Sequence, residues 1–295
     1  MYFPDRDETL ELNATTRSAA GGAFITLAEG ITHYERGGNE SAPVTVLVHG
    51  FSVPSFIYDP TFRFLIEAGQ QPLRYDLFGR GFSDRPDQPY KLDLFINQLT
   101  GLLDALRLTQ PVNLIGLSMG GPIASAFALR HRERVCRLVL IDPAGVKPVA
   151  QTLLLRLVKL PFVAEAALSV VGGEALVKSV ARDFFDPALI EHFIGRYRVQ
   201  MQYRGFKRAL LSTVRNGMLG SFAEVYAALG KTDLPVLLFW GEQDTTTPFA
   251  NATELCRLIP HLVFHPIANC GHIPHYEQPD SVNPILLRFL TTPPE

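Results

Sequence analysis

The chain is poor in cysteine, in net charge and in long apolar runs. Its 295 residues include 3 cysteines without CxxC spacing, so we expect neither a disulfide framework nor a thiolate zinc site. With 27 basic and 29 acidic side chains, the formal net charge is -2. Because basic and acidic side chains nearly balance, no excess of positive charge is available to attract a polyanion. This argues against nucleic acid as the main partner.

No window approaches 18 uncharged apolar residues, so no membrane span is expected, although transient contact with a lipid surface stays open. The first 30 residues carry charges early and lack the apolar stretch of a signal peptide. We therefore expect a cytoplasmic location. Hydrophobic residues make up 47% and charged residues 19%, which is a globular composition.

The pattern of apolar runs predicts an α/β fold. Over residues 44–142, β-branched runs such as VTVLVHG and VCRLVLIDP alternate with amphipathic stretches, as in a mostly parallel sheet flanked by helices. Strand patterns return in PVLLFWGEQ and HLVFHPIAN. Six strands are recognised in this way. A helical stretch lies between VCRLVLIDP and PVLLFWGEQ, and we expect it to be an insertion after the sixth strand of the complete sheet.

We predict a core over residues 1–144 and 232–295 and a helical cap, or lid, over 145–231. The cap leaves and rejoins the core at strand ends, where open α/β sheets bind ligands. The Gly172-Gly173 pair is expected to divide two of its helices. Its apolar residues between 153 and 170 are too many for a solvent-facing surface, so they line a substrate cleft or pack the cap on the core.

A G-x-S-x-G motif stands at residues 116–120, between a strand pattern and a helical run. A serine on such a sharp turn needs minimal side chains two positions away, and Gly116 and Gly120 supply them. Ser118 is therefore the predicted nucleophile. The alternative is an ordinary glycine-rich helix entrance; phosphate binding fits less well, because G-x-G-x-x-G is absent.

A neutral serine also needs a base and an orienting carboxylate. Asp244, just after the strand pattern PVLLFW, is the predicted acid, with helix capping as its alternative role. Asp142 ends an earlier strand and is a second candidate acid. Glu242 also lies nearby, and we interpret it as a solvated turn residue.

The predicted base is His272, which follows the strand pattern LVFHPIA. Gly271 gives the turn freedom to aim this side chain, so we prefer it to His275 three residues later. His261 and His265 lack the intervening Glu of H-E-x-x-H. No metal site and no cofactor are predicted.

Acyl transfer needs hydrogen-bond donors aimed at the developing oxyanion. Met119 N–H follows the nucleophile at a helix start, where the helix dipole favours negative charge. The second predicted donor is the N–H of Phe51, directly after the strand pattern VTVLV and His49-Gly50. We interpret His49 as a structural residue of that loop.

Together these residues resemble the α/β-hydrolase family, in family order and over nearly the whole chain. His49-Gly50, the loop at 76–83, the Ser118 elbow, the Gly241/Asp244 turn and Gly271-His272 carry the resemblance. It implies a cofactor-independent serine hydrolase. Haloalkane dehalogenases and epoxide hydrolases carry aspartate at the nucleophile position, so the serine argues against both activities.

Within the serine branch, the sequence is similar to small carboxylesterases and monoacylglycerol-type lipases, and also to hydrolases that cleave carbon-carbon bonds in ring-fission products. The latter usually show Asn before the serine and a Gly-rich stretch after the first His-Gly. This chain has Leu117 and Phe51-Ser52-Val53-Pro54 there, which favours carboxylic esters of small to medium, largely apolar groups. Carbon-carbon hydrolysis and a non-catalytic ligand-binding protein on the same scaffold remain the alternatives.

Overall fold

An eight-stranded sheet organises the molecule, with helices on both faces. The structure is a computed structural model that describes residues 7–148 and 163–292, with side chains in the second range from residue 172 onward. The strands lie in the order β1-β2-β4-β3-β5-β6-β7-β8, and β2 alone runs opposite to its neighbours. They are β1 (Ala23–Leu27), β2 (Gly30–Arg36), β3 (Val44–Val48), β4 (Gln71–Tyr75), β5 (Val112–Leu117), β6 (Val135–Ile141), β7 (Val236–Gly241) and β8 (Val263–Ile267).

The described helices precede, connect or follow these strands. They are α1 (Ala14–Ala20), α2 (Asp59–Glu67), α3 (Leu92–Ala105), α4 (Gly120–Arg130), α5 (Val163–Ala181), α6 (Ile190–Met201), α7 (Phe206–Arg215), α8 (Ala223–Leu229), α9 (Asn251–Leu258), α10 (Pro274–Glu277) and α11 (Pro279–Thr291). None of the helices in the described ranges combines the length and apolar content needed to cross a bilayer.

The central strands are buried on both sides, which is why they appear in the sequence as continuous apolar runs. In β3, Val46 and Val48 enter the core that includes α3 and α4, whereas Leu47 enters the core beneath α2 and α11. Side chains of a strand alternate between its two faces, and here an apolar cluster packs on each face. The predicted mostly parallel sheet with a helical segment after the sixth strand is confirmed.

The β1–β2 hairpin was not recognised from the sequence. Its strands lie at the edge of the sheet, and every residue of β1 is at least partly exposed. Ile25 and Leu27 still pack against the core. Because an edge hairpin buries only one face, its apolar signal is weaker than that of the central strands.

The expected break at Gly172-Gly173 is wrong, since α5 continues through both glycines. Glycine in a helix interior costs about 1 kcal/mol relative to alanine, which packing offsets. A methyl group at position 173 would lie 2.9 Å from Asp7 Oδ2 and 3.5 Å from Met201 Cε. The glycine therefore allows α5 to approach the N-terminal segment and α6 closely. The predicted apolar run at 153–160 lies outside the described residues.

Helices α5, α6 and α7 lie between β6 and β7 in the sequence, where the cap was expected, and they pack against one another. Helix α8 instead packs on α4, and its Tyr226 donates a hydrogen bond of 2.6 Å to Ala144 O. The division into a core and a cap at 145–231 stays a prediction: α8 contacts α4, and Arg196 of α6 also pairs with Asp59 at the start of α2.

Helix α4 begins against the end of β3, and this close approach depends on Gly120. A methyl group at position 120 would lie 2.1 Å from Val48 O, whereas one at Gly195 in α6 would meet nothing within 4 Å. We expect Gly120→Ala to lower the free energy of unfolding by about 3 kcal/mol. The matched Gly195→Ala should raise it by roughly 0.5–1 kcal/mol. Urea unfolding measures both, and equal effects would contradict this packing.

Candidate active site

Ser118 occupies a strained turn between β5 and α4. Its φ is 51°, in the left-handed region that non-glycine residues rarely adopt. Main-chain hydrogen bonds hold it there: Ser118 N–H donates to Ile141 O at 2.9 Å, and Ser118 O accepts from the N–H groups of Gly121 and Ala144. A methyl group at Gly116 would lie 2.5 Å from Gly120 O, so the motif's glycines are needed sterically.

The Ser118 hydroxyl borders a cavity of about 80 Å³ that His272 also lines. Phe51, Leu117 and Ile273 contribute apolar wall. Among the described contacts, Ser118 makes no hydrogen bond to His272; such contacts often tighten only when a substrate is bound. Larger hollows exist, and the one of about 510 Å³ beside β2 includes neither side chain.

His272 is paired with Asp244 in a buried setting. His272 Nδ1 lies 2.7 Å from Asp244 Oδ2, and the two residues are 4% and 5% exposed. Asp244 Oδ1 accepts from Thr246 N–H at 2.7 Å and Thr247 N–H at 2.9 Å, while Thr247 Oγ1 donates to Oδ2. Both carboxylate oxygens therefore accept hydrogen bonds, and the ring orientation is fixed.

The pairing shifts the pKa values of both His272 and Asp244. Burial works to lower the pKa of His272, but the adjacent Asp244 carboxylate outweighs it and raises that pKa above the ordinary value of 6.5. Burial likewise works to raise the pKa of Asp244, and His272 and Thr247 outweigh it, so this pKa is lowered. The carboxylate stays ionised beside an imidazole whose charged form it stabilises.

The other two candidate acids do not make the hydrogen bond to His272. Glu242 is exposed. Asp142 is fully buried, and its Oδ1 accepts from Gly241 N–H at 2.9 Å. It contacts Asp244, and the hydrogen bond to the His272 ring belongs to Asp244. The structure therefore brings Asp244, and not Glu242 or Asp142, into direct pairing with the histidine.

His275, the competing base, is buried against the Tyr58 ring at 4.8 Å between centroids. Burial lowers its pKa to about 3, so it remains neutral. Within the described residues, the group able to bring three metal-ligating atoms within 4.8 Å of one another consists of Asp142, Asp244 and His272. Those atoms belong to the hydrogen-bonded unit just described.

The predicted oxyanion donors lie at the same edge of the sheet, after β3 and after β5. Neither Phe51 N–H nor Met119 N–H donates to an oxygen of residues 7–148 or 163–292, so both are available to a ligand. His49 Nδ1 lies 3.0 Å from Gly50 O, the carbonyl of the peptide unit that carries the Phe51 N–H. Its Nε2 accepts from Leu77 N–H at 2.9 Å, which assigns the proton to Nδ1.

His49 thus orients the peptide unit that carries the predicted donor Phe51 N–H, a contact the sequence analysis did not assign. Burial lowers its pKa to about 4, so the ring is neutral. Arg80 supports the same loop from the other side: its Nε donates to Phe51 O at 2.7 Å and its Nη2 to Thr213 Oγ1 in α7 at 2.9 Å. One buried guanidinium therefore connects the donor loop to the helices after β6.

Glu277 is a further residue that the sequence analysis missed. Its Oε1 accepts from the N–H groups of Phe185 and Asp186 at 2.7 and 2.9 Å, and its Oε2 accepts from Gly271 N–H at 2.7 Å. The carboxylate thereby joins the loop that carries His272 to the segment after α5. Its partners at 185 and 186 are remote in sequence, so no local motif could have indicated this role.

The chain belongs to the alpha/beta hydrolase family, whose model matches residues 45–285. A 2-hydroxymuconate semialdehyde hydrolase of Pseudomonas sp. (strain CF600) is 32% identical over 204 residues, which are 67% of this chain and 68% of that protein. The predicted family is confirmed, and the chain is a hydrolase of this type.

Solved structures of hydrolases are also similar to this chain. A meta-cleavage product hydrolase from Pseudomonas fluorescens superposes with a TM-score of 0.74 at 26% identity, covering 91% of this chain and 97% of that one. A thermophilic esterase from Thermogutta terrifontis gives a TM-score of 0.76 at 24% identity, with 92% and 100% covered. The second likeness shows the fold alone, so the chemistry must be argued from this chain's own residues.

Glu277 allows a direct test of how the histidine loop is held. Glu277→Gln places an amide N–H₂ group against backbone N–H donors, so we expect the free energy of unfolding to fall by about 2 kcal/mol. Glu242→Gln, a matched change at an exposed glutamate, should leave it unchanged within about 0.5 kcal/mol. Urea unfolding of both variants makes the comparison, and equal stabilities would contradict the assigned contacts.

Proposed function

We propose that this chain is a serine carboxylic ester hydrolase that acts on small to medium, largely apolar esters through an acyl-enzyme intermediate. The observation that carries the proposal is the convergence of Ser118 and the His272–Asp244 pair at one small cavity. Unpartnered N–H groups after β3 and β5 supply the donors that acyl transfer needs.

In this mechanism Ser118 Oγ attacks the ester carbonyl while His272 Nε2 takes the serine proton. Asp244 holds the Nδ1–H tautomer and stabilises the imidazolium. The N–H groups of Phe51 and Met119 bind the oxyanion. His272 then protonates the departing alcohol and later deprotonates the water that releases the acid.

The charge of the cavity favours a neutral substrate. Of the described lining residues, Asp183 and His272 are the titratable ones, and none is Lys or Arg. Asp183 Oδ1 accepts from Thr246 Oγ1 at 2.6 Å. A substrate carboxylate would approach the acidic side chain of Asp183, whereas an uncharged ester meets no such repulsion.

Carbon-carbon hydrolysis of ring-fission products is the second candidate. It is favoured by the 32% identity to a 2-hydroxymuconate semialdehyde hydrolase and by the likeness to a meta-cleavage product hydrolase. Such dienoates carry a carboxylate, so the charge argument above separates the candidates. A higher kcat/KM for a 2-hydroxy-6-oxo-dienoate than for every p-nitrophenyl ester of a graded acyl series would replace the ester proposal.

The nucleophile is tested by Ser118→Ala. We expect ester turnover to fall by about 10⁴-fold or more and labelling by a fluorophosphonate probe to disappear, because Ser118 is the hydroxyl that the mechanism acylates. Ser179→Ala, which changes a serine that lines the same cavity, should keep probe labelling. Labelling that survives in Ser118→Ala would reject the mechanism, and an unlabelled wild-type chain would indicate a ligand-binding protein.

The base is tested by the pH dependence of kcat/KM. Protonated His272 cannot accept the serine proton, so activity is lost as pH falls through its pKa. Because Asp244 raises that pKa, the acid limb should lie above pH 6.5. Asp244→Asn should move the limb downward and reduce kcat by about 10⁴-fold.

Asp280→Asn, which removes an exposed carboxylate, serves as the charge control and should leave the limb in place. A limb that stays unmoved in Asp244→Asn would mean that another group titrates.

A further inference from the structure

Asp142 puts a second carboxyl group directly behind the predicted triad acid. It follows β6 with a φ of 41°, in the left-handed region, and its side chain is fully buried. A main-chain hydrogen bond fixes it there: Asp142 N–H donates to Phe239 O at 3.0 Å, and Thr247 Oγ1 lies 3.2 Å from Asp142 O. The strain is thus maintained by the same threonine that contacts Asp244.

The surroundings of Asp142 contain little to balance a negative charge. Asp244, from the loop after β7, contacts it: one oxygen of each carboxyl group and a ring nitrogen of His272 all lie within 4.8 Å of one another. Glu277 of α10 and Cys270 of the loop after β8 also face it, and in the described part of the chain the neighbour that can become cationic is His272. Two ionised carboxylates in contact and without water would repel each other strongly.

The two oxygens of Asp142 are not equivalent. Oδ1 accepts from Gly241 N–H at 2.9 Å, whereas buried Oδ2 finds no donor among the described residues. A buried carboxylate oxygen without a donor is costly. A proton on this carboxyl group removes the deficit, because the resulting O–H can donate to the neighbouring Asp244.

We propose that Asp142 is a positioning residue held as a neutral carboxylic acid, whose O–H donates to Asp244, so that the two carboxyl groups share one negative charge facing His272. The proposal adds to the ester hydrolase proposed above, yet its physical part concerns only the free protein. Burial and then Asp244 raise the pKa of Asp142 well above its ordinary value, and the same contact lowers the pKa of Asp244.

This arrangement has a thermodynamic consequence with a definite sign. The folded chain keeps a proton on Asp142 that the unfolded chain releases above about pH 4. Unfolding therefore releases a proton at neutral pH, and stability falls as pH rises. Asp142→Asn is neutral in both states, donates to Asp244 through Nδ2 and accepts from Gly241 through Oδ1, so this part of the pH dependence should disappear.

The experiment compares Tm from pH 5 to pH 8 for the wild type, Asp142→Asn and Asp87→Asn, whose side chain is 99% exposed. Relative to the wild type, Asp142→Asn should gain roughly 5 °C or more between these pH values, and the Asp87→Asn control should gain none. An infrared difference spectrum of the wild type minus Asp142→Asn at pH 7 should show a protonated carboxyl C=O band.

Turnover provides a second readout. Asp142→Asn should retain kcat within about threefold, whereas Asp142→Val, which has no donor, should lose about ten- to a hundredfold in kcat with little change in KM. A carboxylate band in place of the protonated one, or an unchanged Tm difference across pH, would overturn the proposal.

Loss of activity on treatment with EDTA would also overturn the proposal, because it would indicate a cation among Asp142, Asp244 and His272. The infrared and Tm measurements need no substrate, so they stand even if ester turnover fails.

Discussion

The buried carboxylate of Asp244 is the charge on which the site depends. An ion removed from water must recover its lost solvation from fixed partners, or it takes up a proton. Here two backbone N–H groups, the Thr247 hydroxyl and His272 provide hydrogen bonds that replace that solvation. The same partners that keep the carboxylate ionised also fix the imidazole tautomer, so charge and geometry are set by one arrangement.

Sheet order explains why residues so distant in sequence meet. β5, β6, β7 and β8 are adjacent and parallel, so their carboxyl ends lie side by side. Ser118, Asp142, Asp244 and His272 each follow one of these strands. The first two have positive φ values and are held by hydrogen bonds to neighbouring strands and loops. The strain is local, and the sheet that opposes it is the largest buried unit of the fold.

Sequence alone predicted the parts that depend on local chemistry. The elbow at Ser118 could be recognised because the glycines that its tight turn requires all lie within residues 116–120. The sequence pattern favoured Asp244 but left Asp142 as a second candidate, since both follow buried strands, and the geometry at His272 separates them. The roles of His49 and Glu277 were missed because their partners come from other elements.

The histidine loop is also bound to the helical segment that follows β6. His272 N–H donates to Asp183 O at 2.7 Å, and Glu277 holds the next two N–H groups of that segment, at 185 and 186. On the opposite side, Arg80 joins the Phe51 loop to Thr213. At the cavity lined by Ser118, His272 is therefore hydrogen-bonded to the segment after α5, and Phe51 is connected to α7 through Arg80. Because these contacts are shared, a displacement of α7 or of the segment after α5 would change the geometry of His272 and Phe51.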